Sequence, residues 1–269
     1  MKTSRDDVVI DIDKDKLVGR LSKYFDPKVS HEEMRRIAPG AMESTQRFKA
    51  AEVRDTLRRK RGFLPEKMVR YCYRPFDLRW LYWEPETKLL DEKRSDYFPH
   101  VFKDNLWLSA GQRNRKEDFY QPQFTTLLAD HHIVESNVAM FPAYLEKALA
   151  SSLFTYKTQQ NHVPNISDDA NNYLKAIKVK DSKPLFFHSL AILHAPVYRD
   201  ENAGAVRQDW PRVPLPTSKS CLEKSSHLGE LLAGLLDPET GVPGVTTGTI
   251  IVARRDLLFG YLQASAYWS

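Results

Sequence analysis

The sequence has little cysteine, no long apolar run and no closely spaced glycines. Two cysteines in 269 residues, Cys72 and Cys221, exclude a disulfide-built miniature fold and a cysteine-rich zinc array. No stretch reaches the roughly 18 apolar residues of a membrane-crossing helix. Met1 leads into Lys-Thr-Ser-Arg-Asp-Asp, without the apolar run of a secretory signal. The cytoplasm is therefore the expected compartment, with no membrane partner. No two glycines are separated by one residue, which removes the usual cradle for a dinucleotide or S-adenosylmethionine, and no P-loop is present. No Asn-Pro-Pro-aromatic segment is available to grip a flipped adenine. The eight histidines show no HxH or HxxxH spacing. His131 and His132, read as part of a strand, face opposite ways and build no metal site.

What is present is an ordinary globular composition with uneven charge. Lys and Arg number 40 against 35 Asp and Glu, a formal charge of +5, and 42% of residues are apolar. Residues 47–79 hold eleven cations and four carboxylates, so this window alone carries +7 and the remainder sums to −2. Its densest part is Arg58-Arg59-Lys60-Arg61. Such a run suits the C-terminal end of a helix, where cations meet the dipole. The whole window also fits a phosphate-facing surface.

The pattern predicts a mostly helical connector over 1–64 and an α+β domain over 65–269. Val8-Val9-Ile10 reads as an edge strand and 13–25 as a short helix with Leu17, Leu21 and Tyr24 on one face. Ser30-His-Glu-Glu33 is a capping box that starts another helix, broken at Pro39-Gly40. Residues 42–61 read as one further helix, stopped at Gly62. Beyond Pro65 come two strands around Pro75, then strand candidates at 106–109, 124–128 and 131–134. Residues 158–171 read as a polar loop, with a helix following to Lys178. Pro184 opens a buried helix that closes before Pro196. Residues 211–216 are extended, 226–236 are helical, and Ile250-Ile-Val252 reads as a last strand. The closing run RDLLFGYLQASAYWS looks cut short. Regular βαβ alternation is absent, so the expected class is α+β with a mixed sheet.

Four local features invite chemistry. Asp77, Glu86 and Lys88 imitate the D…ExK set with which nucleases hold Mg²⁺ and activate water, although Glu84-Pro85-Glu86-Thr-Lys88 also reads as a turn. Cys72 reads as a small buried hydrophobe. His188, on an apolar helix, reads as a hydrogen-bonded core or boundary histidine. The aromatics of 71–83 read mostly as core by their alternation, not as stacking platforms.

The segment Tyr73-Arg-Pro-Phe-Asp-Leu-Arg-Trp-Leu-Tyr82-Trp83 resembles the YRPFDxR segment that follows the catalytic core of N6-adenine DNA methyltransferases fused to restriction machinery. The likeness is to the C-terminal specificity region of type ISP restriction-modification enzymes, with type IIG relatives further off. Asn137-Val-Ala-Met-Phe-Pro142-Ala-Tyr-Leu145, the helix ending Leu193-His-Ala-Pro-Val-Tyr198-Arg199, and Asp209-Trp-Pro-Arg-Val-Pro-Leu-Pro216 resemble later landmarks in the same order, over about 65–240. The resemblance implies a DNA target-recognition module lacking the methylating part. It implies no catalysis by this chain alone, and S-adenosylmethionine only in a parent or partner methyltransferase. It also implies that the chain is a fragment or a separately encoded specificity module.

Under that reading Gln112, Arg113, Asn114, Arg115 and Lys116 are the first base-reading candidates. Arg pairs bidentately with guanine, and Gln or Asn with adenine. The same residues also suit a plain hydrophilic hairpin loop. Gln160 and Asn161, in Thr158-Gln-Gln-Asn-His-Val-Pro-Asn165, are the second set. Arg58, Arg59, Lys60, Arg61, Arg74 and Arg79 are phosphate or docking candidates. For Arg74 and Arg79 an ion pair with Asp77, or packing on Tyr73 and Trp80, is the stronger expectation. Three functions stay open: duplex DNA recognition for a methyltransferase, protein docking between restriction-modification domains, and a Mg²⁺ nuclease.

Overall fold

The computed structural model describes residues 5–84, 87–90, 97–113, 121–134, 138–147 and 162–241. The elements run α1 (Asp6–Val9), β1 (Ile10–Asp11), α2 (Lys14–Phe25), α3 (His31–Ile37), α4 (Ala50–Lys60), β2 (Met68–Arg74) and β3 (Asp77–Tyr82). Then come β4 (Trp107–Ala110), β5 (Phe124–Thr125), β6 (Leu128–Ala129), β7 (Ala139–Pro142), β8 (Tyr144–Glu146) and β9 (His162–Pro164). Four helices close the described chain: α5 (Asp168–Ala176), α6 (Lys183–His194), α7 (Pro196–Gln208) and α8 (Lys219–Leu236). The class is α+β. Among the described residues no helix is long and apolar enough to cross a membrane.

Four of the described helices start where a side-chain oxygen takes an orphan amide. Asp13 accepts from Asp15 and Lys16 at α2, Ser30 from Glu33 at α3, Ser167 from Ala170 at α5 and Ser218 from Cys221 at α8. Several expected boundaries move. Val8 and Val9 end a short helix, and the expected edge strand begins only at Ile10. The expected helix over 42–61 is interrupted at Thr45–Phe48, whose backbones bond each other. That turn drops Phe48 into the core, and α4 begins at Ala50 after Ser44 Oγ accepts its amide at 3.0 Å. The expected strand at 131–134 is a turn, because Asp130 Oδ1 accepts the His132 amide at 2.8 Å. The polar loop of 158–171 holds β9 and the start of α5. Pro196 ends one helix and, at the first position of α7, begins the next. The last helix starts at Lys219, ahead of the expected 226.

Three sheets result among the described residues. The first has order β1-β3-β2-β6, with β2 and β6 parallel and the other pairs antiparallel. The second is antiparallel, β5-β4-β7, and the third is the pair β8-β9. The main core lies between the first sheet and the N-terminal helices: Leu17, Leu21, Tyr24, Met34, Phe48 and Leu57 pack with Tyr71, Leu81 and Tyr82. A second core joins Leu108 and Phe124 of the second sheet to Phe187, Leu190 and Leu193 of α6, with Tyr198, Val206 and Ala233. Cys72, Trp107, Ala129, Ile133 and Met140 form a third cluster between the first two sheets. Burial pushes the Cys72 thiol up to about 12, as suits an inert apolar neighbour. Helices α6 and α8 cross at Gly229, where a Cβ would overlap the Phe187 carbonyl.

Candidate nucleic-acid interface

The β2–β3 hairpin carries the segment Tyr73-Arg-Pro-Phe-Asp-Leu-Arg. Its turn is Pro75-Phe76, and Phe76 sits in the left-handed region at φ 62° while 59% exposed. Bulky residues rarely hold that conformation. Arg79 grips Asp77 through Nε and Nη2 at 2.7–3.1 Å, in the fork geometry that guanidinium and carboxylate share. Arg74 reaches Asp130 Oδ1 at 3.2 Å. Both guanidiniums lie over the Tyr73 ring, 4.2 and 3.9 Å from its centroid. Tyr73 donates to Asp6 at 2.7 Å and Tyr71 to Asp130 at 2.7 Å. Desolvation, outweighing the Tyr73 bond, raises the Asp6 carboxyl, and burial holds the Tyr71 phenol well above its usual value. This network ties the hairpin to α1 and to the end of β6. Arg79 spends Nε and Nη2 on Asp77, whereas Arg74 engages only Nη1 and stays 41% exposed.

The basic window is likewise turned partly inward. Arg54 is buried and spans five acceptors on the α2–α3 junction, among them the Tyr24 carbonyl at 2.7 Å. Arg58 donates to the carbonyls of Asp26 and Val29 and pairs with Asp55. Its side chain is only 14% exposed. Arg70 meets Glu239 at 2.9 Å. Arg59 and Lys60 are exposed on the last turn of α4, and Arg61, half-buried, caps it. A count of cations along the chain cannot see this, since it is blind to unpaired carbonyls.

Gln112 and Arg113 lie just past β4, exposed, beyond Gly111. Asn114, Arg115, Lys116, Gln160 and Asn161 lie outside the described residues, as does Glu86 of the nuclease pattern. The structure sets Gln112 against the segment after α7: its Nε2 donates to Asp209 Oδ1 at 3.2 Å. The Asp209 carboxyl is held below its usual range, first by the Trp210 backbone amide and then by Gln112, with Arg212 and Arg113 adding attraction. Trp210 meets Phe141 of β7 edge-to-face, 5.4 Å between centroids, and both rings are well exposed, 38% and 39%. Beside Phe141 opens a cleft of about 260 Å³, lined by Leu108, Pro142, Asn165, Ser182, Phe186 and Ser189 among others. Three separate segments thus bring amide, guanidinium and aromatic groups to one face. Sequence reasoning missed Phe141, Asp209, Trp210 and Arg212 as members of it. The signal was Asp209-Trp-Pro-Arg, which entered only as part of a family-like landmark and an extended stretch.

The other candidates resolve locally. His188 bridges Ser225 Oγ at 2.7 Å and the Pro214 carbonyl at 2.8 Å. His131 and His132, on the turn, bring their rings to 3.7 Å instead of facing apart. With Asp130 they make the one set of three close metal-type ligands among the described residues. Asp130 already serves Tyr71, Arg74 and His132, and the arginine opposes a cation. Asp77 gives both oxygens to Arg79. Among the described residues that line the cleft there is no carboxylate to meet a ribose.

A family model matches residues 1–244: the type ISP C-terminal specificity domain. The chain belongs to that family. Its fold is similar to part of the DrdV–DNA complex solved by cryo-EM, with 22% identity, a TM-score of 0.61, and coverage of 88% of this chain and 22% of that one. It is similar to a nuclease-deletion mutant of the type ISP restriction-modification enzyme LlaGI in complex with a DNA substrate mimic (20%, TM-score 0.56, 87% and 21% covered). It is also similar to the ATP-dependent type ISP enzyme LlaBIII bound to DNA (16%, TM-score 0.65, 90% and 15% covered). The chain spans about a fifth or less of these chains. None of the curated proteins matches it.

Proposed function

We propose that this specificity domain reads duplex DNA sequence and holds the target for an adenine methyltransferase and its restriction machinery. The observation that carries the reading is the family match over residues 1–244. The outward face at Gln112, Arg113, Trp210 and Arg212 supports it, because it offers base-edge donors and acceptors beside phosphate-seeking cations. The chain itself supplies no methyl transfer. S-adenosylmethionine belongs to a methyltransferase part, fused or separate. Binding of random duplex should weaken steeply with salt as counterions return to the phosphates. A selection from a random duplex library should return one motif, which Arg113→Ala with Arg115→Ala relaxes. No detectable duplex binding at about 50 mM salt would sink the reading, since every contact it invokes is strongest there.

A second reading, docking between parts of a restriction-modification enzyme, is favoured by one observation. Leu228, Leu231 and Leu235 form an exposed stripe on α8, at 62%, 56% and 48% exposure. Unchanged DNA binding alongside lost assembly in a Leu228→Ser, Leu231→Ser variant would assign that stripe to protein contact.

A further inference from the structure

Resting on the DNA-reading proposal, we infer that Asp209 is a positioning residue that presents Gln112 edge-out to an adenine. An exposed glutamine on a loop ordinarily samples many rotamers and can turn either end of its amide outward. Here the partner is a carboxylate, which accepts and never donates. Asp209 therefore takes nitrogen and not oxygen: Gln112 Nε2 stands 3.2 Å from Asp209 Oδ1. One N–H is committed. The second N–H and Oε1 stay available as a donor–acceptor pair. That pair matches N7 and the N6 amino group of adenine; guanine shows two acceptors, N7 and O6, and leaves Oε1 unmatched.

Asp209 is itself held. It closes α7, its amide donating to the Ala205 carbonyl at 3.2 Å, and Trp210 follows it directly in the chain. Trp210 is braced edge-on by Phe141, so the chain from β7 through Trp210 and Asp209 to Gln112 is continuous. A carboxylate beside Arg113 and Arg212 would simply repel phosphates if it had no local task. Holding a reading group in one orientation is such a task. Trp210, next in the chain to Asp209, and Phe141 expose apolar rings, which suit contact with a base methyl.

The test uses the 269-residue chain with wild type, Gln112→Ala, Asp209→Ala and Asp209→Asn, each put through the same random-library selection. Adenine-for-guanine competition at the affected position is then measured. The Asp209→Asn variant keeps an acceptor but not the charge. We expect one adenine in the wild-type motif, lost in Gln112→Ala. Asp209→Ala should weaken its preference about tenfold, within the range of one bidentate base pairing, and Asp209→Asn should recover part of it. Random-duplex affinity in Asp209→Ala should hold or rise. In the free protein, the Gln112 side-chain amide protons should be dispersed in the wild type and collapse towards free values in Asp209→Ala. An adenine preference that survives Asp209→Ala, or an amide already free in the wild type, overturns the positioning role and leaves DNA reading intact. A motif unchanged in Gln112→Ala does the same. Loss of all duplex binding by the wild type removes both.

Discussion

Replacing Arg54 with methionine tests whether the basic window is spent on the fold or on a polyanion. Arg54 is fully buried and donates to the carbonyls of Tyr24 (2.7 Å), Val29 (3.0 Å), Ser30 (3.1 Å) and Lys23 (3.2 Å). Two of these are end carbonyls of α2 and two precede α3, so one guanidinium satisfies most of the junction, with Arg58 sharing Val29 and taking Asp26. Hydrogen bonds to a charged donor are worth about 1.5–3 kcal/mol each. Four at the low end sum to about 6 kcal/mol. Water reaching the outer carbonyls, and burial of the methionine in place of the arginine stem, reduce the expected loss to about 3–5 kcal/mol. For a domain of this size that lowers Tm by about 6–20 °C. Urea unfolding followed by far-UV circular dichroism should show a lower midpoint with an unchanged slope. Arg54→Lys, with three donors on one nitrogen, should recover part of the loss. In the DNA assay the salt slope of folded Arg54→Met should equal the wild type's, because a buried cation releases no counterions. A stability loss below about 1 kcal/mol, or a shallower salt slope, would refute the assignment of Arg54 to the junction.

Gly229→Ala should cost about 3 kcal/mol or more, since the added carbon meets the Phe187 backbone and α6 and α8 must part; a loss under about 1 kcal/mol in urea unfolding would contradict that packing. Phe76→Asn should raise stability by about 1 kcal/mol, because Phe76 holds φ 62° while 59% exposed and asparagine tolerates that region; a loss in thermal unfolding would show that the ring contributes more than its conformation costs. His194 is held below its usual pKa, chiefly by burial, while its Nε2 donates to the Pro122 carbonyl at 2.8 Å. The folded state thus binds fewer protons than the unfolded one just below about pH 6.5. That stability is present at neutral pH and falls as the solution is acidified through the window. Unfolding free energies at about pH 7.5 and about pH 5 should differ less in His194→Gln, and an unchanged difference counts against it.

The elements with strong local signals were legible in sequence. Ser30 and Glu33, the Pro184–Pro196 bracket and the alternation through Met68–Tyr82 all formed close to where their patterns placed them. Tertiary demands moved the rest. Phe48 interrupts a helical pattern because the core takes its ring, and Asp130 turns a strand-like run because its side chain captures the His132 amide. The candidate face was half legible. Gln112 and Arg113 stand out by residue type, whereas Phe141 and Trp210 meet only through the β4–β7 pairing and the end of α7. Nothing along the chain brings residues 141 and 210 together. The inward turn of Arg54 and Arg58 was equally invisible, because what they satisfy is backbone oxygen, which every sequence has.

The shared core of the N-terminal helices and the β2–β3 hairpin bears on how such a domain can be exchanged between enzymes. Tyr82 packs against Phe25 and Phe63, with ring centroids 5.6 and 5.7 Å apart, and β1 covers the outer edge of β3. A graft that joined at Pro65 would bring the hairpin with an unpaired edge and an uncovered aromatic face, both aggregation hazards. A transplant that carries its own α1 to α4 keeps that face closed. Chimaeras made with the two junctions, compared for soluble yield before any assay of target choice, should separate on this alone.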